Sequence, residues 1–195
     1  MIEPVLRKRQ LRRQILAARG HLGPTELRDL GERLHRRLRE LIAEERPDVV
    51  AAYLPTGAEP FSHMTVSLPA ALRAEGCRQV LLPVWNIDDT LSWGRYERDE
   101  DLVLGRGGLL EPHGPALPGS ELERAELVIV PALAVDRRGY RLGRGAGCYD
   151  RALRNARADI VAAVYDTELI PRLPIEVHDV VVSAAIAPSG IQRMQ

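Results

Sequence analysis

Leu127-Val-Ile-Val-Pro-Ala-Leu-Ala-Val135, followed after a short charged step by Gly139-Tyr-Arg-Leu-Gly-Arg-Gly-Ala-Gly-Cys-Tyr-Asp-Arg151, decides how the chain is read. The apolar run, bounded by Pro131 and Asp136, has the length and β-branched content of a buried strand. The stretch after Tyr149 reads as a helix over 149–158, so the glycines fall between a strand and a helix. At such a position, N–H groups with no Cβ in the way can curl around an anion, and a helix N-terminus adds partial positive charge. The loop is therefore a phosphate-cradle candidate.

It is neither of the two commonest cradles. A Walker loop ends in Gly-Lys-Ser/Thr, and the dinucleotide fingerprint needs a glycine where Asp150 stands. The spacing Gly143, Gly145, Gly147 is its own pattern, with Arg141, Arg144 and Arg151 supplying positive charge and Asp150 a hard oxygen ligand. Arginines beside an anion nest, together with one carboxylate, suit a metal-bound polyphosphate. Glycines alone would read as a flexible turn. The basic side chains, the acid and the strand-to-helix position together favour the cradle.

The bulk properties set the frame. At 195 residues the chain suits one well-buried domain, and 45% hydrophobic with 28% charged residues is ordinary for a globular protein. Basic and acidic residues balance at 27 each, so no global charge favours nucleic acid or a membrane surface. No apolar run approaches a membrane span, and Met1-Ile-Glu-Pro-Val-Leu-Arg lacks the order of a secretory signal. A cytoplasmic monomer is expected. Cys77 and Cys148 show no disulfide or metal-ligand spacing.

Upstream of the loop, residues 5–19 read as a basic helix with an approximate apolar stripe of Val5, Leu6, Leu11, Ile15 and Leu16. Lys8 and Arg12, four apart, share a face of it. Lys8 is the only lysine among the 27 basic residues, a compact ammonium suited to a phosphate as a point charge. A nucleic-acid role for this helix is disfavoured by the neutral whole and by the lack of aromatic residues between the charges. A second helix carries Leu27, Leu30, Leu34, Leu38 and Leu41 at core-facing spacing. Asp48–Leu54 reads as the first strand, and the loop 55–60 stands at its carboxyl end, where open α/β sheets place ligands. Further elements are a helix within 62–75, a strand over 79–83, a short strand among Trp85, Trp93 and Tyr96, and strands over 160–165 and 180–186. Strands alternating with helices make an α/β fold.

Asp136-x-x-Gly139-x-Arg141-Leu-Gly-x-Gly-x-Gly-x-Tyr149-Asp-Arg151 closely resembles the signature of the 5-formyltetrahydrofolate cyclo-ligases, also called methenyltetrahydrofolate synthetases. Lys8-Arg-Gln-Leu-Arg12, Leu54 with Glu59, and Arg106-Gly-Gly-Leu-Leu-Glu-Pro112 match further elements of that family in the same order. The resemblance implies a three-layer αβα domain over residues 1–195 around a largely parallel or mixed sheet. It also implies ATP- and Mg²⁺-dependent cyclisation of the reduced folate 5-formyltetrahydrofolate to 5,10-methenyltetrahydrofolate, with release of ADP and phosphate. Carried over residue by residue, it assigns ATP to Lys8, Arg12, Arg141, Leu142, Gly143, Arg144, Gly145, Ala146, Gly147, Cys148 and Tyr149. Lys8, Arg141 and Arg144 are then the catalytic cations. Leu54 and Glu59 hold the folate, the carboxylate accepting the paired N–H donors of a pterin edge. Asp150 and Asp179 help bind Mg²⁺, with His178 a neighbour and not a catalyst. Members commonly carry glycine or lysine where this chain has Ala146, and a second tyrosine where it has Cys148. Those departures keep two other readings open: a non-catalytic nucleotide- or folate-binding homologue, and an ATP-dependent ligase acting on another small amide.

Overall fold

The computed structural model describes residues 2–154, 156–176 and 179–194, and for residues 2 and 3 the backbone alone. Helices α1 (Ile2–Gly20) and α2 (Pro24–Glu45) lead into strand β1 (Val49–Ala51), helix α3 (Leu68–Ala74), and the hairpin β2 (Gln79–Trp85) with β3 (Leu91–Tyr96). A small hairpin, β4 (Leu102–Leu104) and β5 (Leu110–Pro112), precedes β6 (Leu127–Pro131), β7 (Ala134–Asp136) and β8 (Arg141–Leu142). The chain closes with α4 (Cys148–Leu153), β9 (Asp159–Ala163), β10 (Leu169–Ile170), β11 (Ala184–Ala187) and β12 (Gly190–Arg193).

Seven strands form the main sheet in the order β12-β11-β9-β6-β1-β2-β3. The strands from β11 to β2 run parallel, and β12 and β3 close the edges antiparallel. A parallel sheet must be covered on both faces, and the alternation of side chains along each strand supplies two apolar faces. Val50, Leu82, Ile129, Val161 and Ile186 cluster with Leu34, Leu38 and Leu41 of α2 and with Leu68 and Leu72 of α3. Ala51, Leu81, Val128, Ala162 and Ala185 face the other way, against Leu122 and Leu153. This second cover is thin: the 3₁₀ turn Gly119–Arg124, the short α4, and residues of a three-stranded sheet ordered β10-β7-β8. Helix α2 begins with Pro24 in its first turn and stops at Arg46, which turns left-handed at φ 49° and caps Ile42 before Pro47 bars continuation.

Several sequence expectations change here. The run 127–135 is two strands in two sheets, because the Ala132 N–H still bonds to Ala163 of the main sheet while the Leu133 N–H bonds to the Leu142 carbonyl. The helix expected within 62–75 covers only Leu68–Ala74, capped by the Ser67 hydroxyl with Pro69 in the first turn. The helix expected over 149–158 ends at Leu153, and the last parallel strand starts at Ala184, not at Val180. In α1, Val5, Leu6 and Leu16 are exposed at 49%, 58% and 41%, while Lys8 and Arg19 are buried at 4% and 5%. Ion pairs, described below, draw the polar stripe inward in preference to the apolar one.

Within the order β2-β1-β6, chain direction through the sheet reverses beside β1, so the loops leaving β1 and β6 diverge. This is the crevice where doubly wound sheets bind ligands. The segment 52–60 leaves one side and the segment 132–147 the other.

Asp136 holds the second of these segments. Its buried carboxylate accepts the N–H groups of Arg138 at 2.9 Å, Tyr140 at 3.2 Å and Leu173 at 2.9 Å, and the Arg138 guanidinium at 2.6 Å. Burial opposes ionisation, but the Leu173 N–H and the Arg138 contacts outweigh it and hold the carboxyl below its ordinary value of 3.8. A carboxyl depressed in the folded state stabilises above its unfolded pKa, and that contribution disappears as pH falls through the lower folded value. Asp136→Asn should therefore cost about 2–3 kcal/mol at pH 7 by urea unfolding. The gap between variant and parent should close as the pH is lowered below 3.8; a pH-independent gap would show that the charge is not the stabilising feature.

Candidate active site

A cavity of about 730 Å³ opens at this crevice, and its lining includes every residue singled out for ATP, folate or metal. Lys8 and Arg12 come from α1, Leu54 and Glu59 from the loop after β1, the stretch Arg141–Asp150 from β8 through α4, and Asp179 from the segment before β11. His178 lies outside the described residues.

The glycine loop has a steric logic. A Cβ on Gly143 would lie 3.0 Å from the Arg141 guanidinium, one on Gly145 3.4 Å from that of Arg12, and one on Gly147 3.0 Å from that of Arg151. Three arginines thus rest on the places where side chains are missing. Gly145 and Gly147 also need positive φ, 112° and 70°, which other residues rarely adopt. Ala146 is not among the positive-φ residues, so its methyl group carries no backbone strain. Its carbonyl accepts from Arg151 at 3.2 Å, and the Cys148 thiol sulfur lies 3.8 Å from the same guanidinium. Helix α4 is only six residues long, so the positive character of the loop comes from the arginines more than from a helix dipole.

Cations and carboxylates in the cavity are paired with one another. The Lys8 ammonium sits 2.8 and 2.6 Å from the two oxygens of Asp179 and 2.9 Å from Glu176. The Arg141 guanidinium donates to Asp150 at 2.9 Å, and Arg144 donates to Glu59 at 3.0 Å. Arg12 donates to the Gly143 carbonyl at 2.8 Å. The second Glu59 oxygen accepts the Thr56 N–H at 2.9 Å, so a neighbouring loop residue fixes the carboxylate while Arg144, 58% exposed, can leave it. Arg141 is buried, and its Nε–H has no hydrogen-bond partner among the described residues. An orphaned buried donor on a guanidinium that lines the cavity is a ready contact for an anion.

The carboxylates that line the cavity are Glu59, Glu111, Asp150, Glu176 and Asp179, of which Asp150 and Asp179 are the two that the family resemblance implies for a metal. No group of three or more His, Cys, Asp or Glu suited to a metal occurs among the described residues. Mg²⁺ is commonly held by one or two carboxylates plus substrate phosphates and waters, not by an all-protein cage. Two carboxylates beside a phosphate-type loop fit that mode.

Residues that the sequence reading passed over complete the floor and rim. Arg19 is buried and donates to both oxygens of Glu168 at 2.7 Å and to the Ala132 carbonyl at 2.7 Å. Burial opposes its charge, but the Glu168 partner outweighs it and raises the guanidinium pKa. The signal was present in the numbering: Arg19 stands seven residues after Arg12, on the same helix face. Tyr53 and Tyr165 donate their hydroxyls to the carbonyls of Pro60 and Ala58, at 2.8 and 3.3 Å, holding the loop that carries Glu59. Burial pushes the Tyr165 phenol up to about 12, so it remains a donor at neutral pH. The thiol of Cys77, raised by burial to about 11, takes no part in the cavity.

Residues 5–188 match the model of the 5-formyltetrahydrofolate cyclo-ligase family. A 5-formyltetrahydrofolate cyclo-ligase of Mycolicibacterium smegmatis is 45% identical over 146 residues, covering 71% of this chain and 73% of that protein. Among solved structures, the Aquifex aeolicus 5,10-methenyltetrahydrofolate synthetase superposes with a TM-score of 0.78 at 27% identity, over 96% of this chain and 93% of the other. The Mycoplasma pneumoniae 5,10-methenyltetrahydrofolate synthetase, at 19% identity, shares the fold with a TM-score of 0.71 over 92% and 97% of the two chains. A glycine loop packed with arginines, a lone buried lysine and a doubly wound sheet thus coincide with a match over nearly the whole length: the chain belongs to the 5-formyltetrahydrofolate cyclo-ligase family.

Proposed function

We propose that this protein, acting as one unit over residues 1–195, uses ATP to cyclise 5-formyltetrahydrofolate to 5,10-methenyltetrahydrofolate, releasing ADP and phosphate. The observation that carries this reading is that one cavity in a member of this family gathers Lys8, Arg12 and the loop 143–147 and joins them to Glu59 through Arg144. A phosphate-binding wall and a carboxylate suited to a pterin edge lie in a single chamber.

The chemistry needs such a chamber. A formamide oxygen is a poor leaving group, so the γ-phosphoryl group is first moved from ATP onto it and ADP departs. N10 then attacks the activated formyl carbon, the carbon–oxygen bond breaks with release of phosphate, and N10 loses its proton. Phosphoryl transfer of this kind asks the protein chiefly for alignment and charge neutralisation. That explains why a site rich in guanidinium groups shows, among the described residues, no nucleophile paired with a base.

The paired charges give the order of events a physical basis. An incoming polyphosphate competes with Asp179 and Glu176 for the Lys8 ammonium and with Asp150 for the Arg141 guanidinium. Each cation released to phosphate leaves a carboxylate oxygen for a divalent ion, so nucleotide and metal bind together. Mg²⁺ would be held by Asp150 and Asp179, and when bound it neutralises charge on the transferring phosphate. On the folate side, release of Arg144 exposes the Glu59 oxygen that faces it, while Thr56 keeps the carboxylate in place.

Purified protein mixed with 5-formyltetrahydrofolate, ATP and Mg²⁺ should form the methenyl product, followed by its near-ultraviolet absorbance. Omitting ATP or adding excess chelator should stop it. ATP binding without product would replace this reading with that of a non-catalytic homologue.

Substitutions separate the two halves of the site. Lys8→Ala should lower kcat/KM for ATP by about two orders of magnitude, the scale set by one preorganised charge contact in transfer chemistry. Glu59→Gln should raise the KM for the folate by about tenfold or more, the worth of a charged hydrogen bond, and leave the KM for ATP nearly unchanged. An unchanged folate KM would remove Glu59 from the substrate.

A further inference from the structure

Helix α1 carries Lys8 and Arg12 into the cavity, yet little of its described apolar surface fastens it there: among the described residues of the helix, Leu11 and Ile15 alone pack against the cluster of Leu133, Ala134, Leu142 and Leu173. Lys8, Arg12 and Arg19 fall within about 40° of one another around the helix at 3.6 residues per turn. One polar stripe therefore does most of the attaching. Two of its three attachments are those that the reaction must break or rearrange, since Lys8 binds carboxylates and Arg12 a loop carbonyl that phosphates approach. The third is different.

Arg19 and Glu168 are exposed at only 5% and 4%, and the guanidinium uses its fork on both carboxylate oxygens and on the Ala132 carbonyl. Ala132 directly follows β6, and Glu168 follows β9, so the pair fixes the C-terminal turn of α1 to the carboxyl ends of adjacent parallel strands. The remaining capacity of Glu168 is taken by the Tyr165 N–H at 2.8 Å. The guanidinium also lies 5.4 Å from the centre of the Tyr165 ring. Position and direction are both set.

We infer that Arg19 is a positioning residue for the reaction proposed above: through its buried pair with Glu168 it fixes α1 over the loop 143–147 and so sets where Lys8 and Arg12 meet the phosphates. The geometry gives leverage. Lys8 lies eleven residues along the helix from Arg19, about 16 Å, so a tilt of about 5° at the pair displaces the ammonium by roughly 1.4 Å. Misplacements of that size cost about a hundredfold in rate. The pair is also an ionic attachment of α1 with both partners buried, so it holds the helix while Lys8 and Arg12 change partners.

Two variants test this, because removing one member of a buried pair leaves the other uncompensated and endangers folding. Arg19→Lys keeps the charge and loses the fork. The double variant Arg19→Met with Glu168→Leu replaces the pair by apolar volume, which buried pairs often tolerate. Both should melt cooperatively, bind Mg-ATP about tenfold or more weakly by calorimetry, and show a lower kcat, with the KM for 5-formyltetrahydrofolate moved much less. Wild-type ATP affinity and kcat in the folded double variant would overturn the assignment, as would equal losses for both substrates. If neither variant folds, the pair is a folding element and the positioning role is withdrawn. Because ATP affinity is read apart from turnover, a parent protein that binds ATP without making product would sink the proposed activity and leave the Arg19 assignment testable.

Discussion

The contact between the Lys8 ammonium and the Asp179 carboxylate, 2.6 Å apart across 171 residues of sequence, closes the site. Helix α1 belongs to neither face of the main sheet; it lies across the carboxyl ends of the strands, and its charged stripe meets the segment that precedes β11. Without that closure, the loop after β1 and the loop after β6 would form an open groove. With it, the crevice becomes a walled cavity whose buried groups, Lys8 and Arg141 among them, interact more strongly than charges in open water.

A chamber lined by so many ionised groups is stable only if the charges neutralise each other. Burying an isolated ion costs far more than any single contact returns, and pairing offsets that cost. Here the pairs run between functional classes: Lys8 with Asp179 and Glu176, Arg141 with Asp150, and Arg144 with Glu59. The same pairing that stabilises the fold holds the cations close to the place where phosphates would arrive. Arg19 with Glu168 has the same chemistry but more complete burial, and it is tied to a backbone carbonyl as well. Identical residue types thus take different parts according to how much of their surroundings a ligand can replace.

The glycine loop illustrates a second constraint. Its glycines have no side chains to bind with; they make room for guanidinium groups from α1, β8 and α4 to lie against the backbone. Departures from the family pattern fall where this constraint is absent. Ala146 does not need positive φ, and Cys148 begins α4 at a half-buried position beside Arg151. Both are accommodated without displacing an arginine from its glycine.

Much of this was legible in the amino-acid sequence, because it depends on local chemistry. Short continuous apolar runs marked the buried strands, the leucine spacing marked α2, and the spacing of glycines with Arg141, Arg144 and Asp150 marked an anion loop before any partner was known. The single lysine stood out by composition alone. What the tertiary structure decided was pairing. Nothing local in Arg144 points to Glu59 across 85 residues, nor in Arg19 to Glu168 across 149. The strands β7, β8 and β10, two or three residues each, exist only because they find each other. The apolar periodicity of α1 misled for the same reason: Val5, Leu6 and Leu16 are exposed because ion pairs supplied from elsewhere in the fold determine which side of the helix is buried. A sequence specifies what each residue can do, and long-range contact determines with whom it does it.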